Sequence, residues 1–82
     1  MNKFTVSFFA TLKDRAGVRQ VELELPAGAR VRDLKTSLVE CLPGLAPALG
    51  TTLVAVDREY AFDDDLLPAG AEIALFPPVS GG

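Results

Sequence analysis

The sequence predicts an α+β domain in which one main helix packs against a mixed β-sheet. Three observations predict it: two runs of alternating polar and apolar residues near the start, one helical stripe in the middle, and short apolar runs after it. Joined by short links, they read in the order strand, strand, helix, strand, short strand, strand.

Each element has its own warrant. Lys3 to Phe8 alternates, so Phe4, Val6 and Phe8 share the core face, while Phe9 breaks the alternation and lands on the other side. Lys13-Asp14-Arg15-Ala16-Gly17 reads as a polar turn in which Gly17 is free to take a positive φ. Arg19 to Leu25 alternates again and would bury Val21, Leu23 and Leu25, closing an antiparallel hairpin. From Val31 to Leu42 the period becomes helical, with Val31, Leu34, Leu38 and Leu42 on one stripe, and Pro43-Gly44 stops it. Leu45 to Leu49 suits a brief extra turn. Leu53 to Val56 reads as a buried strand, Asp57-Arg58 as a tight turn, and Glu59 to Ala61 as a short strand. Asp63 to Gly70 is a loop or a single helical turn. Ala71 to Phe76 is the last strand, ended by Pro77-Pro78, which cannot donate to a ladder. This element order is the β-grasp arrangement, and it divides the chain into a folded domain over 1–76 and a flexible tail over 77–82.

Composition narrows the chemistry. With 82 residues, about half of them apolar, the chain can build one compact core of modest stability. Its single cysteine, Cys41, excludes an internal disulfide and a four-cysteine zinc site, and suits a reducing compartment. No run is long enough to span a membrane, and the start reads as a strand rather than a signal peptide, so a cytoplasmic protein is expected. Eight basic residues against eleven acidic ones argue against a nucleic-acid partner. The absence of histidine removes the commonest general base and the commonest metal ligand. Such a chain is better suited to being acted upon than to acting alone.

The chemistry lies in the tail. Pro77-Pro78-Val79-Ser80-Gly81-Gly82, fully extended, reaches about 20 Å, far enough to enter another protein's active site. The prolines stiffen its base, and the glycines keep its tip thin enough for a narrow channel. Its reactive group would be the terminal carboxylate of Gly82. A free carboxylate is a poor acyl donor. It needs activation, most simply by ATP to an acyl-adenylate that a sulfur nucleophile can attack, with the activating groups supplied by a partner.

Several segments together resemble the MoaD/ThiS family of ubiquitin-like sulfur carriers. They are Phe8-Phe9-Ala10, Val54-Ala55-Val56-Asp57-Arg58-Glu59-Tyr60, Leu67-Pro68-Ala69-Gly70-Ala71-Glu72 and, most specifically, Leu75-Phe76-Pro77-Pro78-Val79-Ser80-Gly81-Gly82. The likeness spans nearly the whole chain. Its Phe-Pro-Pro approach to Gly-Gly favours the molybdopterin branch over the thiazole-pathway carriers. The resemblance implies that an E1-like adenylating enzyme activates Gly82, that a persulfide donor sulfurates it, and that the thiocarboxylate docks into the large subunit of molybdopterin synthase, in a heterotetramer. There it would pass sulfur to a cyclic pyranopterin precursor. ATP would be bound by the adenylating enzyme, and this chain would hold no cofactor or metal.

Other residues are weighed against plainer roles. Phe9, Tyr60 and Phe76 are out of phase with their strands' core positions and are expected to form an exposed apolar patch beside the tail. Together with Pro77, Pro78, Val79 and Ser80 they are the candidate partner-binding residues, because aromatic anchors carry much interface energy. Cys41 is expected beside the apolar stripe, as a packed and unreactive thiol. Asp63-Asp64-Asp65 lacks the spacing of a calcium loop and reads as a solvated turn. Lys13, Arg15 and Arg58 read as ordinary surface charge. A protein modifier joined to lysines through Gly82, and a plain interaction domain with an inert tail, remain open on the same residues.

Overall fold

The computed structural model describes residues 1–78. Five strands, β1 (Asn2–Phe8), β2 (Gln20–Leu25), β3 (Leu53–Val56), β4 (Glu59–Ala61) and β5 (Glu72–Phe76), form one sheet in the order β2-β1-β5-β3-β4. Only the β1–β5 pairing is parallel; β1–β2, β3–β4 and β3–β5 are antiparallel. The main helix, α2 (Val31–Cys41), covers one face of the sheet, as the sequence predicts.

The pleat sorts the side chains. Phe4, Val6 and Phe8 of β1, Leu23 and Leu25 of β2, Val54 of β3, and Ile73 and Leu75 of β5 are buried together with Val31, Leu34 and Leu38 of α2. Full burial of an aliphatic or aromatic side chain contributes about 1.5–3 kcal/mol, so this layer supplies most of the stability. Val21 is half-buried rather than buried, because β2 is an edge strand and its flank is open.

Three local expectations are corrected. The polar stretch before Gly17 is not a turn but a helix, α1 (Thr11–Ala16), set inside the β1–β2 hairpin. It is closed by Gly17 in the left-handed region at φ 78°, whose N–H donates to the Lys13 carbonyl at 3.0 Å. In six residues only Leu12 is buried, which is too little periodicity to read as a helix. Secondly, Cys41 is exposed. Leu42, half-buried, and Leu45, fully buried on a 3-10 turn (Pro43–Leu45), fill the core beyond Leu38 and leave the thiol outside. Thirdly, α2 ends at Cys41, one residue before Leu42. The extra turn expected over Leu45 to Leu49 is present as that 3-10 turn followed by α3 (Ala46–Leu49).

The Asp63–Gly70 segment is a loop that serves as the cap of α2. The N–H groups of Val31 and Arg32 donate to the carbonyls of Asp65 and Asp63, each at 3.0 Å, satisfying helix donors that would otherwise lack partners. Asp33 accepts from the Arg30 N–H at 2.8 Å. Each acidic side chain of the loop has a local partner: Asp63 pairs with Lys35 at 2.8 Å, Asp64 with Arg32, and Asp65 accepts from the Phe62 N–H at 2.7 Å.

Two measurements test these contacts. Gly44 packs so close to α1 that an added Cβ would stand 2.5 Å from the Arg15 carbonyl oxygen. Gly44→Ala should therefore cost about 1–3 kcal/mol in chemical denaturation, and an unchanged midpoint would show that the α1 contact is soft. The Lys35 ammonium, first by hydrogen bonding and then by its charge, holds the Asp63 carboxyl below its ordinary value of 3.8. That pair stabilises the fold above pH 3.8 and is lost as pH falls through the lower folded value. Asp63→Asn should lower Tm slightly at neutral pH and not at all once Asp63 is protonated; a gap that widens in acid would contradict the assignment.

Candidate functional site

Among the described residues the opposite face of the sheet carries no helix, and β5, which leads into Pro77-Pro78, is the middle strand. β5 is flanked by β1 on one side and β3 on the other: Leu75 pairs with Phe8 of β1, and Phe76, its last residue, pairs with Leu53 of β3. Pro77 is half-buried and Pro78 exposed. The candidate residues Val79, Ser80, Gly81 and Gly82 lie outside the described residues.

Register explains why the out-of-phase aromatics gather at this exit. On β5 the core positions are Ile73 and Leu75, so Glu72, Ala74 and Phe76 point to the open face. Across the ladder Leu53 pairs with Phe76, and Tyr60 pairs with Ala55, so all four face the same side. Phe9 follows directly on β1. Its N–H donates to the Leu75 carbonyl at 3.2 Å, and its ring stacks on that of Phe76 with centroids 4.8 Å apart and planes 12° from parallel. Phe9 is 45% exposed and Tyr60 68% exposed, whereas Phe76 is half-buried beneath the stack. Together with Leu53, Pro77 and Pro78 they line a hollow of about 420 Å³ at the point where the tail departs.

Ala10 makes this arrangement possible. At φ 53° and ψ −131° it occupies backbone space that favours glycine, and it turns the chain so that Phe9 stays outside while Leu12 enters the core. The β3–β4 turn is constrained in a similar way. Asp57 and Arg58 both have positive φ, at 49° and 72°, the geometry of a type I′ hairpin. The turn is pinned to β5 from both directions: the Asp57 N–H donates to the Glu72 carbonyl, and the Glu72 N–H donates to Asp57 Oδ1, both at 2.9 Å.

Some residues of this face are not singled out by the sequence alone. Leu53 is missed because Leu53 to Val56 is apolar throughout and hides its own alternation; Val54 and Val56 face the core, while Leu53 and Ala55 face out. Phe62, 77% exposed, lies two residues beyond Tyr60 and extends the aromatic rim past the strand's end. Lys13, Arg15 and Arg58 are exposed, as surface charge would be. Among the described residues no group of acidic, cysteine or histidine side chains could hold a metal ion, and no helix is long and apolar enough to cross a membrane.

The stack offers a direct test. A double-mutant cycle of Phe9→Ala and Phe76→Ala, read by chemical denaturation, should give a coupling of about 0.5–1.5 kcal/mol. Strictly additive effects would mean that the rings are neighbours without a mutual contribution.

Known proteins resemble this chain in architecture and in sequence. Residues 6–82 match the model of the ThiS family. The molybdopterin synthase sulfur carrier subunit of Chlamydomonas reinhardtii is 35% identical over 79 residues, covering 94% of this chain and 95% of that protein. The human protein of the same description is 34% identical over 80 residues, covering 94% and 91%. The crystal structure of small archaeal modifier protein 1 from Haloferax volcanii superposes with a TM-score of 0.87 at 31% identity, covering 96% of this chain and all of that one.

Proposed function

The chain belongs to the ThiS family, and we propose that it is the sulfur-carrier subunit of a molybdopterin synthase. The observation that carries this reading is the near full-length similarity to sulfur carrier subunits of that enzyme. The aromatic hollow around the tail exit supports it, because a protein that must present a chain end to another active site needs a docking surface beside that end.

The chemistry follows from the end group. An E1-like adenylating enzyme binds ATP, and the Gly82 carboxylate oxygen attacks the α-phosphorus; pyrophosphate leaves, and a mixed anhydride with AMP forms. A donor persulfide then attacks the acyl carbon and displaces AMP. A thiol cleaves the resulting acyl disulfide, taking up the donor sulfur as a disulfide and leaving the terminal thiocarboxylate. The large synthase subunit admits this end; the thiocarboxylate sulfur bonds to a carbon of a cyclic pyranopterin precursor, displacing an oxygen substituent, and water then cleaves the acyl–sulfur bond, leaving the sulfur on the precursor and restoring the carboxylate of Gly82. Phe9, Tyr60, Phe76 and Pro77 to Ser80 guide the tail and bear the docking contacts. The chain supplies position and an acyl group, and its partners supply every acid, base and metal.

A second reading is favoured by the likeness to the Haloferax volcanii modifier protein: the same activated Gly82 could be taken by a lysine amine and form an isopeptide bond. Intact mass spectrometry separates the two. After incubation with ATP, the adenylating enzyme and a persulfide source, the untagged chain should gain the mass of one oxygen exchanged for sulfur, and a chain lacking Gly82 should not. Attachment to lysines of other proteins instead would put the modifier reading first, and no change of either kind would refute both.

A further inference from the structure

The open face holds a second feature, beside the aromatic hollow, that its docking role does not by itself require. Reading across the sheet, Ser7 pairs with Ala74, Ala74 with Ala55, and Ala55 with Tyr60. Three small side chains therefore lie side by side on adjacent strands, where larger or β-branched residues usually cover a sheet. Around them stand Phe9 and Phe76 at one end, Thr5 and Glu72 at the other, and Tyr60 with Arg58 at the side, enclosing a trough of about 430 Å³. Ala55 is only 8% exposed although it faces away from the core, so the walls already shelter the floor from water.

We propose that this small-residue floor is the socket for an apolar side chain of the large synthase subunit, and that Arg58 on the rim pairs with a carboxylate of the same protein. The inference rests on the carrier function proposed above and adds the chemistry by which the partner is recognised.

Three observations favour this occupant. The trough and the tail-exit hollow share Phe9, Tyr60 and Phe76, so a protein that grips the tail covers both. A stable complex buries about 800 Å² on each partner, and the open sheet face is the surface contiguous with the tail-exit hollow. The charge of Arg58 is available: among the described residues it makes no ion pair. Its backbone is also held in place by the two hydrogen bonds between Asp57 and Glu72. A shallow apolar floor with a fixed cation at its edge suits an aliphatic or aromatic anchor followed by an acidic residue.

The test fills the socket without touching the tail or the aromatic anchors. Ala74→Leu and Ser7→Leu are titrated calorimetrically against the purified large synthase subunit of the same organism, with Tm measured alongside. Each should weaken binding by about tenfold or more at nearly unchanged Tm, the loss typical of a blocked interface pocket. Arg58→Glu should slow association, and that loss should fade as salt is raised. If either leucine variant melts early, the other and the exposed Arg58→Glu decide. Wild-type binding with all folded variants equally tight would overturn the socket while leaving the carrier function standing. Failure of the wild-type chain to bind the large subunit would remove both. A dimer of the free chain that the leucine variants dissociate would assign the trough to a second copy and overturn the proposal.

Discussion

The parallel pairing of β1 with β5 is the constraint on which the rest of the molecule depends. It joins the first strand to the fifth across the 63 residues that separate Phe8 from Glu72, and it places β5 between β1 and β3. Without it the β1–β2 hairpin and the β3–β4 hairpin would be separate ribbons, each too small to be stable alone. With it, both become wings of one sheet, and a single helix can seal both wings through Val31, Leu34 and Leu38. Such a non-local contact is slow to form, because the chain must close a long loop before anything rewards the closure. Once formed, it sets Phe76, the residue before Pro77-Pro78, at the end of a strand paired on both sides.

The same pairing decides what faces outward. With Val6 opposite Ile73 and Phe8 opposite Leu75, the core-facing residues of both strands align, and so must the outward ones: Thr5 with Glu72 and Ser7 with Ala74. A slip of one residue would bury Glu72 and expose Ile73, so the core enforces the register of the open face at no separate cost. The candidate docking surface is in this sense the back of the hydrophobic core. Strain is accepted only at its margins, in Ala10 beside the aromatic stack and in the Asp57-Arg58 turn beside the trough.

Most of this was legible from residue pattern, and the exceptions share a cause. Strands β1, β2 and β5, helix α2 and the outward placement of Phe9 and Phe76 follow from period and phase, because each lies in a run long enough to display one. Helix α1 does not, since six residues carry one buried anchor, Leu12. Cys41 was misplaced because helical periodicity continues past the point where the 3-10 turn brings Leu45 into the core instead. Leu53 hides in a run apolar at every position. The small-residue floor was beyond reach for a different reason. Ser7, Ala55 and Ala74 come from three strands far apart in sequence, and their adjacency exists only once the register is known.

For a carrier of this kind, the division between tail and sheet has a chemical consequence. On the function proposed above, an acyl-adenylate at Gly82 would be open both to a persulfide sulfur and to a lysine amine; the leaving group would be the same, and residues 77–82 offer no side chain beyond Ser80 that could prefer one. Selectivity between the two fates must therefore come from which nucleophile is held near the activated end. That depends on which protein is docked. A domain without histidine, with its one thiol exposed on the helix end rather than beside the tail exit, has little means of choosing by chemistry. It could choose by recognition, and on that reading the face of the sheet that the helix leaves uncovered is where recognition would lie. Two chains with identical Gly-Gly ends can then serve different chemistries if their open faces differ, and the aromatic rim and small-residue floor are the places where such a difference would have to appear.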